Sequence, residues 1–159
     1  MGRLLVLVSA ALLVLSVAVG VSGYRMGHPF KVRGKVYCDT CGRGFETNVT
    51  TYIQGATVKI ECTDREGLKV KYSVLGLSGL GGEYEMTIQG DRGDDICDAV
   101  LVSSPLTDCD EIDTRRSRAS IILTRSNGLS SDVRPVNSMG FLLKQPLPIC
   151  ATMFLDTDQ

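Results

Sequence analysis

The stretch that decides the fold reads Phe30-Lys31-Val32-Arg33-Gly34-Lys35-Val36-Tyr37-Cys38, and Asp39-Thr40-Cys41 follows it directly. Apolar or small side chains alternate with Lys and Arg along it, which is typical of a β-strand with one buried and one solvated face. Two cysteines three positions apart close the stretch, and on an extended backbone they point to opposite faces. The sequence therefore predicts a half-buried strand whose two terminal cysteines have different partners.

The same period-two pattern returns along the rest of the chain. It predicts further strands at residues 57–62, 68–75, 83–88, 98–102, 119–124 and 140–144. Turn signals rich in Gly, Asp, Asn and Ser separate these segments, and helical periodicity is weak after residue 23. About seven short strands with a turn every ten or so residues predict an all-β domain, built as a small antiparallel sandwich or barrel.

The first 23 residues have the composition of a secretory signal peptide. Arg3 precedes an uncharged run that extends to residue 22, and small residues close it at Ala18, Gly20 and Gly23. This pattern predicts a signal peptide over residues 1–23, cleaved between residues 20 and 23. The alternative is an uncleaved anchor, because the run approaches the ~20 residues that span a bilayer. We expect cleavage, no stable membrane insertion afterwards, and a single domain over residues 24–159 with a loose tail after residue 150.

All six cysteines lie after the signal peptide and are spread along the remaining chain. In an oxidising compartment, an even number of cysteines predicts a framework of three disulfides, although counting alone leaves every pairing open. Cys38 and Cys41 also form a CxxC, the spacing of a thiol–disulfide enzyme or of half a zinc site. No helix pattern follows it, no second CxxC exists, and His28 is the single histidine. We therefore expect structural disulfides and no metal or other cofactor.

Groups suited to catalysis or to nucleic-acid binding are scarce. His28 precedes the first strand, so a Ser–His or Cys–His nucleophile would lack an anchored base. Acidic residues cluster at 94–98 and 108–113, which leaves an acid pair or a calcium site as a minor alternative, although neither spacing matches a calcium loop. Residues 1–23 hold one arginine and no acidic residue, so the remainder is more negative than the whole chain at −1. We expect no catalytic residues and no nucleic-acid partner.

Two short motifs concern the surface. Asn48-Val49-Thr50 is the one N-glycosylation sequon in the sequence, so we expect a glycan on Asn48 if the chain passes through the secretory pathway. Arg92-Gly93-Asp94 spells an adhesion tripeptide, but a turn rich in Gly and Asp explains it equally well.

At this point the motif around the first strand resembles a known signature. Gly34-Lys35-Val36-Tyr37-Cys38-Asp39-Thr40-Cys41 is similar to the signature of the olive-pollen major allergen family, the pollen Ole e I-like secreted proteins of plants. Arg33 and Gly42 depart from the two flanking positions of that signature. The similarity continues through Gly82-Glu83-Tyr84 and Ile96-Cys97 to Pro148-Ile149-Cys150. The resemblance implies that the disulfides join Cys38 with Cys109, Cys41 with Cys150, and Cys62 with Cys97.

The resemblance also implies a function. Family members are extracellular, often glycosylated and in several species allergenic, and no catalytic residues are common to them. We therefore expect a non-enzymatic protein of the extracellular space or cell wall that binds a cell-surface receptor kinase or a cell wall polymer. The expected context is pollen hydration, germination and tube growth, or related tissue development. The alternatives are a thiol–disulfide enzyme using Cys38 and Cys41, and an inhibitor of an extracellular hydrolase that acts through Arg115-Arg116-Ser117-Arg118.

Overall fold

The structure is a computed structural model and describes residues 28–153. The predicted signal peptide and the last six residues of the predicted tail lie outside the described residues. The described part contains ten strands, a three-residue 3₁₀ helix at Leu80–Gly82 and one short α-helix: β1 (Phe30–Asp39), β2 (Thr51–Tyr52), β3 (Thr57–Thr63), β4 (Val70–Leu77), β5 (Glu83–Ile88), β6 (Ile96–Ser103), β7 (Glu111–Ile112), β8 (Arg118–Ile121), β9 (Val133–Pro135), β10 (Met139–Leu142) and α1 (Cys150–Met153). None of the helices within residues 28–153 has the length and apolar character needed to span a bilayer.

The strands form two sheets that share one hydrophobic core. The first sheet is built around β1, which pairs with β5 and β9 along its first half and with β10 and β2 along its second half. Strand β7 extends this sheet from β10. The second sheet has the order β4-β3-β6-β8, and all of its pairs are antiparallel. The prediction of an all-β sandwich is confirmed, and the two sheets remain separate.

The period-two pattern does not predict three of the strands, because they are only two or three residues long. These are β2, β7 and β9, and each lies at the margin of the first sheet. Strands β9 and β10 also run parallel to β1, with Val32 opposite Arg134 and Val36 opposite Met139. Pairings between segments about a hundred residues apart leave no local pattern, so the sequence could not indicate their direction.

Several predicted strands differ from the structure by one to three residues at their ends, and side-chain hydrogen bonds explain two of these differences. Leu68 lies in a turn, because the Asp64 carboxylate accepts its N–H at 2.9 Å, so β4 begins only at Val70. Strand β8 ends at Ile121 rather than at residue 124. Beyond it, the buried guanidinium of Arg134 takes the carbonyls of Ile122 and Thr124 at 2.9 and 3.0 Å, which removes them from any ladder.

Strand β1 changes character at its midpoint. Its first half alternates buried and exposed side chains, as its sequence predicts, whereas its last four residues are all buried. The core face of β1 packs against the inward side chains of β3, β6 and β10, while the aromatic ring of Tyr37 points the other way and lies across Gly140. The second half of β1 is therefore enclosed on both faces, which suits a strand that holds two disulfides.

The contact between Tyr37 and Gly140 gives a test of this packing. A Cβ placed on Gly140 would lie 2.6 Å from Cε2 and Cζ of Tyr37, so Gly140→Ala forces the ring or β10 to move. We expect a loss of about 1–3 kcal/mol in the free energy of unfolding, measured by denaturant titration. Gly79→Ala is the matched control, because its Cβ meets nothing nearer than the Glu83 carbonyl at 3.5 Å. Equal stability of the two variants would contradict this packing.

Candidate functional site

The end of β1 is the part of the molecule where the sequence motif, the disulfides and the sequon meet. Cys38 pairs with Cys109 and Cys41 pairs with Cys150, with Cα–Cα distances of 6.0 and 5.5 Å. The third bridge joins Cys62 with Cys97, which are direct neighbours on β3 and β6. These are the pairs that the family resemblance implies. We call residues 39–52 together with the turn 113–117 the motif end.

Asp39 shapes the first part of the motif end. Its carboxylate is buried and accepts the backbone N–H groups of Cys41 and Gly44, so it closes the loop that leaves β1. Gly44 adopts a φ of +79°, which a residue with a side chain rarely takes up. The carbonyl of Asp39 also accepts the N–H of Leu143, and the next carbonyl accepts that of Leu147. The loop is therefore fixed to the C-terminal segment by hydrogen bonds as well as by a disulfide.

A basic turn packs against this loop. The Asp113 carboxylate accepts the backbone N–H of Arg115 at 2.9 Å and two guanidinium nitrogens at 2.8–3.1 Å. The Arg115 guanidinium holds the pKa of the Asp113 carboxyl below its usual range. The side chain of Arg116 lies against Gly44, and its carbonyl accepts the N–H of Gly140 at 3.1 Å. In the arginine run of the inhibitor hypothesis, Asp113 therefore holds the Arg115 side chain, which stays exposed, and Asp98 pairs with Arg118.

The sequon lies on the outer side of the motif end. Asn48 is exposed in a turn, where the N–H of Thr47 donates to the Thr50 hydroxyl at 2.7 Å. Thr40 ties this turn to β1 by donating its hydroxyl to the Val49 carbonyl at 3.1 Å. The Asn48 side chain thus projects from a turn whose backbone is fixed.

Two aromatic side chains flank the sequon turn. Phe45 and Tyr52 are 48% and 46% exposed. The ammonium of Lys35 lies 5.1 Å from the centroid of the Tyr52 ring, and a hydrogen bond to the Glu46 carboxylate raises the pKa of the Tyr52 phenol. Half-exposed aromatic rings beside charged groups are the side chains that dominate protein interfaces.

Several side chains of the two acidic clusters form ion pairs. Asp94 pairs with Arg65 at 2.8 Å, and Asp98 pairs with Arg118 at 2.7 Å. In the second cluster Asp110 pairs with Lys144 at 2.9 Å. Within residues 28–153, no group of three or more His, Cys, Asp or Glu side chains has the geometry to hold a metal ion.

The adhesion tripeptide lies in the turn between β5 and β6, where side chains of β4 and of the turn after β3 contact it. The Arg92 guanidinium lies 4.3 Å from the centroid of the Tyr72 ring, and its side chain is only 23% exposed. Asp94 in turn is held by Arg65. An integrin-type reader needs both side chains free, so a structural turn is the better interpretation. His28 is exposed ahead of β1, and its carbonyl accepts a hydrogen bond from Arg125.

The sequence of this domain matches a known protein family. A family model described as "Pollen protein Ole e 1 like" matches residues 28–158. The chain belongs to this family. The match covers the whole motif end and all six cysteines of the domain.

Relatives of this Ole e 1-like domain carry names from several plant contexts. "Protein DOWNSTREAM OF FLC" of Arabidopsis thaliana is 48% identical over 128 residues, which cover 80% of this chain and 78% of the relative. "Pollen-specific protein C13" of Zea mays is 43% identical over 131 residues, covering 81% and 77%. The crystal structure of the major plantain pollen allergen Pla l 1 superposes with a TM-score of 0.68 at 29% identity, covering 76% of this chain and 98% of that chain.

Sequence reasoning identified the cysteines, Asn48 and the arginine run, but it missed the residues that shape the site. In the sequence, Asp39 is one of the two residues between the cysteines of the CxxC, and Asp113 is one member of an acidic cluster. Their roles depend on loops that fold back onto the same end of β1. The one local signal was an aspartate two positions before an arginine, which allows the Asp113 carboxylate to accept hydrogen bonds from the backbone and side chain of Arg115. We call these hydrogen bonds the clamp at Asp113.

The clamp at Asp113 predicts a pH dependence of stability. A carboxylate whose folded pKa is lowered contributes stability that is present above its unfolded pKa, near 4, and is lost as the pH falls through the folded value. We expect Asp113→Asn to be less stable than the parent at pH 6 and to approach it as the pH falls below about 4. Melting temperatures between pH 6 and pH 3 measure this. Glu66→Gln, in the exposed turn after β3, is the control and should keep the same melting temperature relative to the parent across this range. A difference between Asp113→Asn and the parent that stays constant from pH 6 to pH 3 would contradict the clamp.

Proposed function

We propose that this protein is a secreted, N-glycosylated, non-enzymatic plant protein that acts by binding through its motif end. Its partner is a cell-surface receptor kinase or a polymer of the cell wall. The setting is pollen hydration, germination and tube growth, or related tissue development. The observation that carries the proposal is a rigid loop that displays Phe45 and Tyr52 beside Asn48, anchored by two disulfides at the end of β1.

Rigidity is what makes this loop suitable for recognition. A binding surface that is ordered before it meets its partner loses little conformational entropy on association. Here the disulfide at Cys41, the buried Asp39 carboxylate and the bond from Thr40 to Val49 fix the loop from three sides. Large aromatic rings on such a support are typical anchors of protein interfaces.

The state of the cysteines argues against the redox alternative. Cys38 and Cys41 are each bonded to a distant partner rather than to each other, and they are 2% and 7% exposed. Thiol–disulfide exchange needs a thiolate with access to the attacking group. Six bridged cysteines in one domain also support an oxidising, extracellular location.

The names of relatives support the biological setting. Relatives from Zea mays and Crocus sativus are named as a pollen-specific protein and a pollen allergen, at 43% and 39% identity. These names place both relatives in pollen and state no catalytic activity. An exposed Asn48 is compatible with a glycan that extends away from the domain.

The proposal is tested with protein secreted by plant cells. Intact mass first shows whether residues before the 20–23 cleavage interval are missing and whether a glycan can be removed from Asn48. The labelled protein is then incubated with plasma membranes of germinating pollen and, separately, with washed pollen-tube cell walls. Retention on membranes supports a receptor, and retention on walls supports a wall polymer.

Two variants locate the binding surface. We expect Tyr52→Ala and Phe45→Ala to weaken retention at least about tenfold, as loss of a central aromatic anchor does at other interfaces. Leu75→Ala removes a side chain of similar exposure, 62%, from β4 in the other sheet and should bind as the parent does. Absence of retention on both materials, or equal retention by all three variants, would reject binding through the motif end.

A further inference from the structure

The turn between β7 and β8 contains a pair of residues that occurs nowhere else in the chain. Arg115 and Arg116 are the one place in all 159 residues where two basic side chains are adjacent. Paired basic residues are the recognition element of a class of serine endoproteases, whose acidic pockets accept two successive arginines. The binding function proposed above makes no use of this pair as a unit.

The pair is displayed where an enzyme can reach it. The side chain of Arg115 is 71% exposed, and Thr114 and Arg116 are exposed as well, whereas Ser117 on the other side of the bond is buried and has to turn outward before a cut. Strand β7, on the N-terminal side of the turn, has two residues and pairs with β10 at two ladder positions. Surface turns of this kind, flanked by short strands, are preferred sites of limited proteolysis.

A small set of contacts holds the turn closed. Asp113 clamps the Arg115 side chain and its backbone N–H, and the Asp113 carbonyl accepts the N–H of Arg116 at 3.0 Å. The carbonyls of Arg116 and Ser117 accept N–H groups from Gly140 and Leu101. A protease must pull an extended segment into its active site, so these contacts have to open first.

The disulfides decide what happens after a cut. A break after Arg116 leaves five cysteines in the N-terminal fragment and only Cys150 in the C-terminal one. Cys41–Cys150 is therefore the one covalent link between the fragments. The C-terminal fragment also keeps β8, β9 and β10, which pair with β6 and β1 of the other fragment.

We propose that the Arg116–Ser117 bond is a processing site for a serine endoprotease that reads paired arginines, and that the cut protein persists as a two-chain molecule joined by Cys41–Cys150. The enzyme's serine attacks the Arg116 carbonyl and the amine of Ser117 leaves. One water then releases the Arg116 carboxylate, so one peptide bond and one water are consumed. The cut turns Arg116, whose side chain lies beside Gly44 of the motif end, into a free chain end. The inference rests on the proposed secretory route, since such enzymes meet their substrates there.

The test uses the folded, oxidised protein and a purified endoprotease of dibasic specificity. We expect a single product that is heavier than the parent by one water without reduction, and two chains split after Arg116 once Cys41–Cys150 is reduced. Arg116→Gln should slow the cut at least about 100-fold, because the enzyme's acidic pocket is left unpaired. Arg65→Gln removes an arginine from the turn after β3 that is exposed but has no basic neighbour in the sequence, and it should leave the rate unchanged.

Asp113→Asn tests whether the clamp at Asp113 keeps the turn closed. Losing the clamp raises the population of the open turn, so we expect cleavage to be about 5-fold faster or more. Resistance of the folded parent under conditions that cut the reduced, denatured chain after Arg116 would overturn the proposal. So would fragments that separate without reduction, or a cut at Arg65.

Protein harvested from the medium of plant cells completes the test. A two-chain form that disappears in Arg116→Gln supports processing, and a parent that is always single-chain overturns it. This readout does not involve partner binding. A binding-competent protein that is never cut would reject only this inference, whereas a cut protein with no partner would reject only the proposed function.

Discussion

The two disulfides at the end of β1 are the constraint on which the rest of the molecule depends. They tie one strand to segments 71 and 109 residues further along the chain. Closing loops of that length removes entropy from the unfolded chain worth up to about 4–5 kcal/mol per bridge in the chain-entropy model. The same strand pairs with four others, so whatever positions β1 also positions β2, β5, β9 and β10. Stability and the geometry of the motif end therefore have a common origin.

The distribution of side chains along β1 shows how one strand can contribute to the stability of the core and also position the motif end. Its first half uses alternation to separate a core face from a solvated face, where Arg33 pairs with Glu85 across the sheet. Its second half has no solvated face. It pairs with β10 and lies beneath the loop that Asp39 closes and the turn that Asp113 holds by hydrogen bonds. The loop beyond Cys38 adds no residue to the hydrophobic core and is held instead by hydrogen bonds and by Cys41–Cys150.

Local patterns were enough for the parts of the fold that follow local rules. Alternation in Val32 to Cys38, in Val58 to Cys62 and in Tyr84 to Ile88 predicted β1, β3 and β5 with the correct faces inward. The parallel pairing of β9 and β10 with β1 could not be predicted, because it depends on segments about a hundred residues apart. Arg134 illustrates the same limit, since nothing in the sequence marks it as a buried arginine that donates to the carbonyls of Ile122 and Thr124 just after β8.

The most direct test of this account is native-state hydrogen exchange on the parent and on the double variant Cys41→Ser/Cys150→Ser. The account predicts that protection is lost selectively in the motif end, at amides such as Gly44 and Thr47, while β3 and β6, held by Cys62–Cys97, stay protected. If protection at Gly44 and Thr47 survives removal of the bridge, or falls by the same factor in both sheets, the end of β1 is not what the disulfides hold in place.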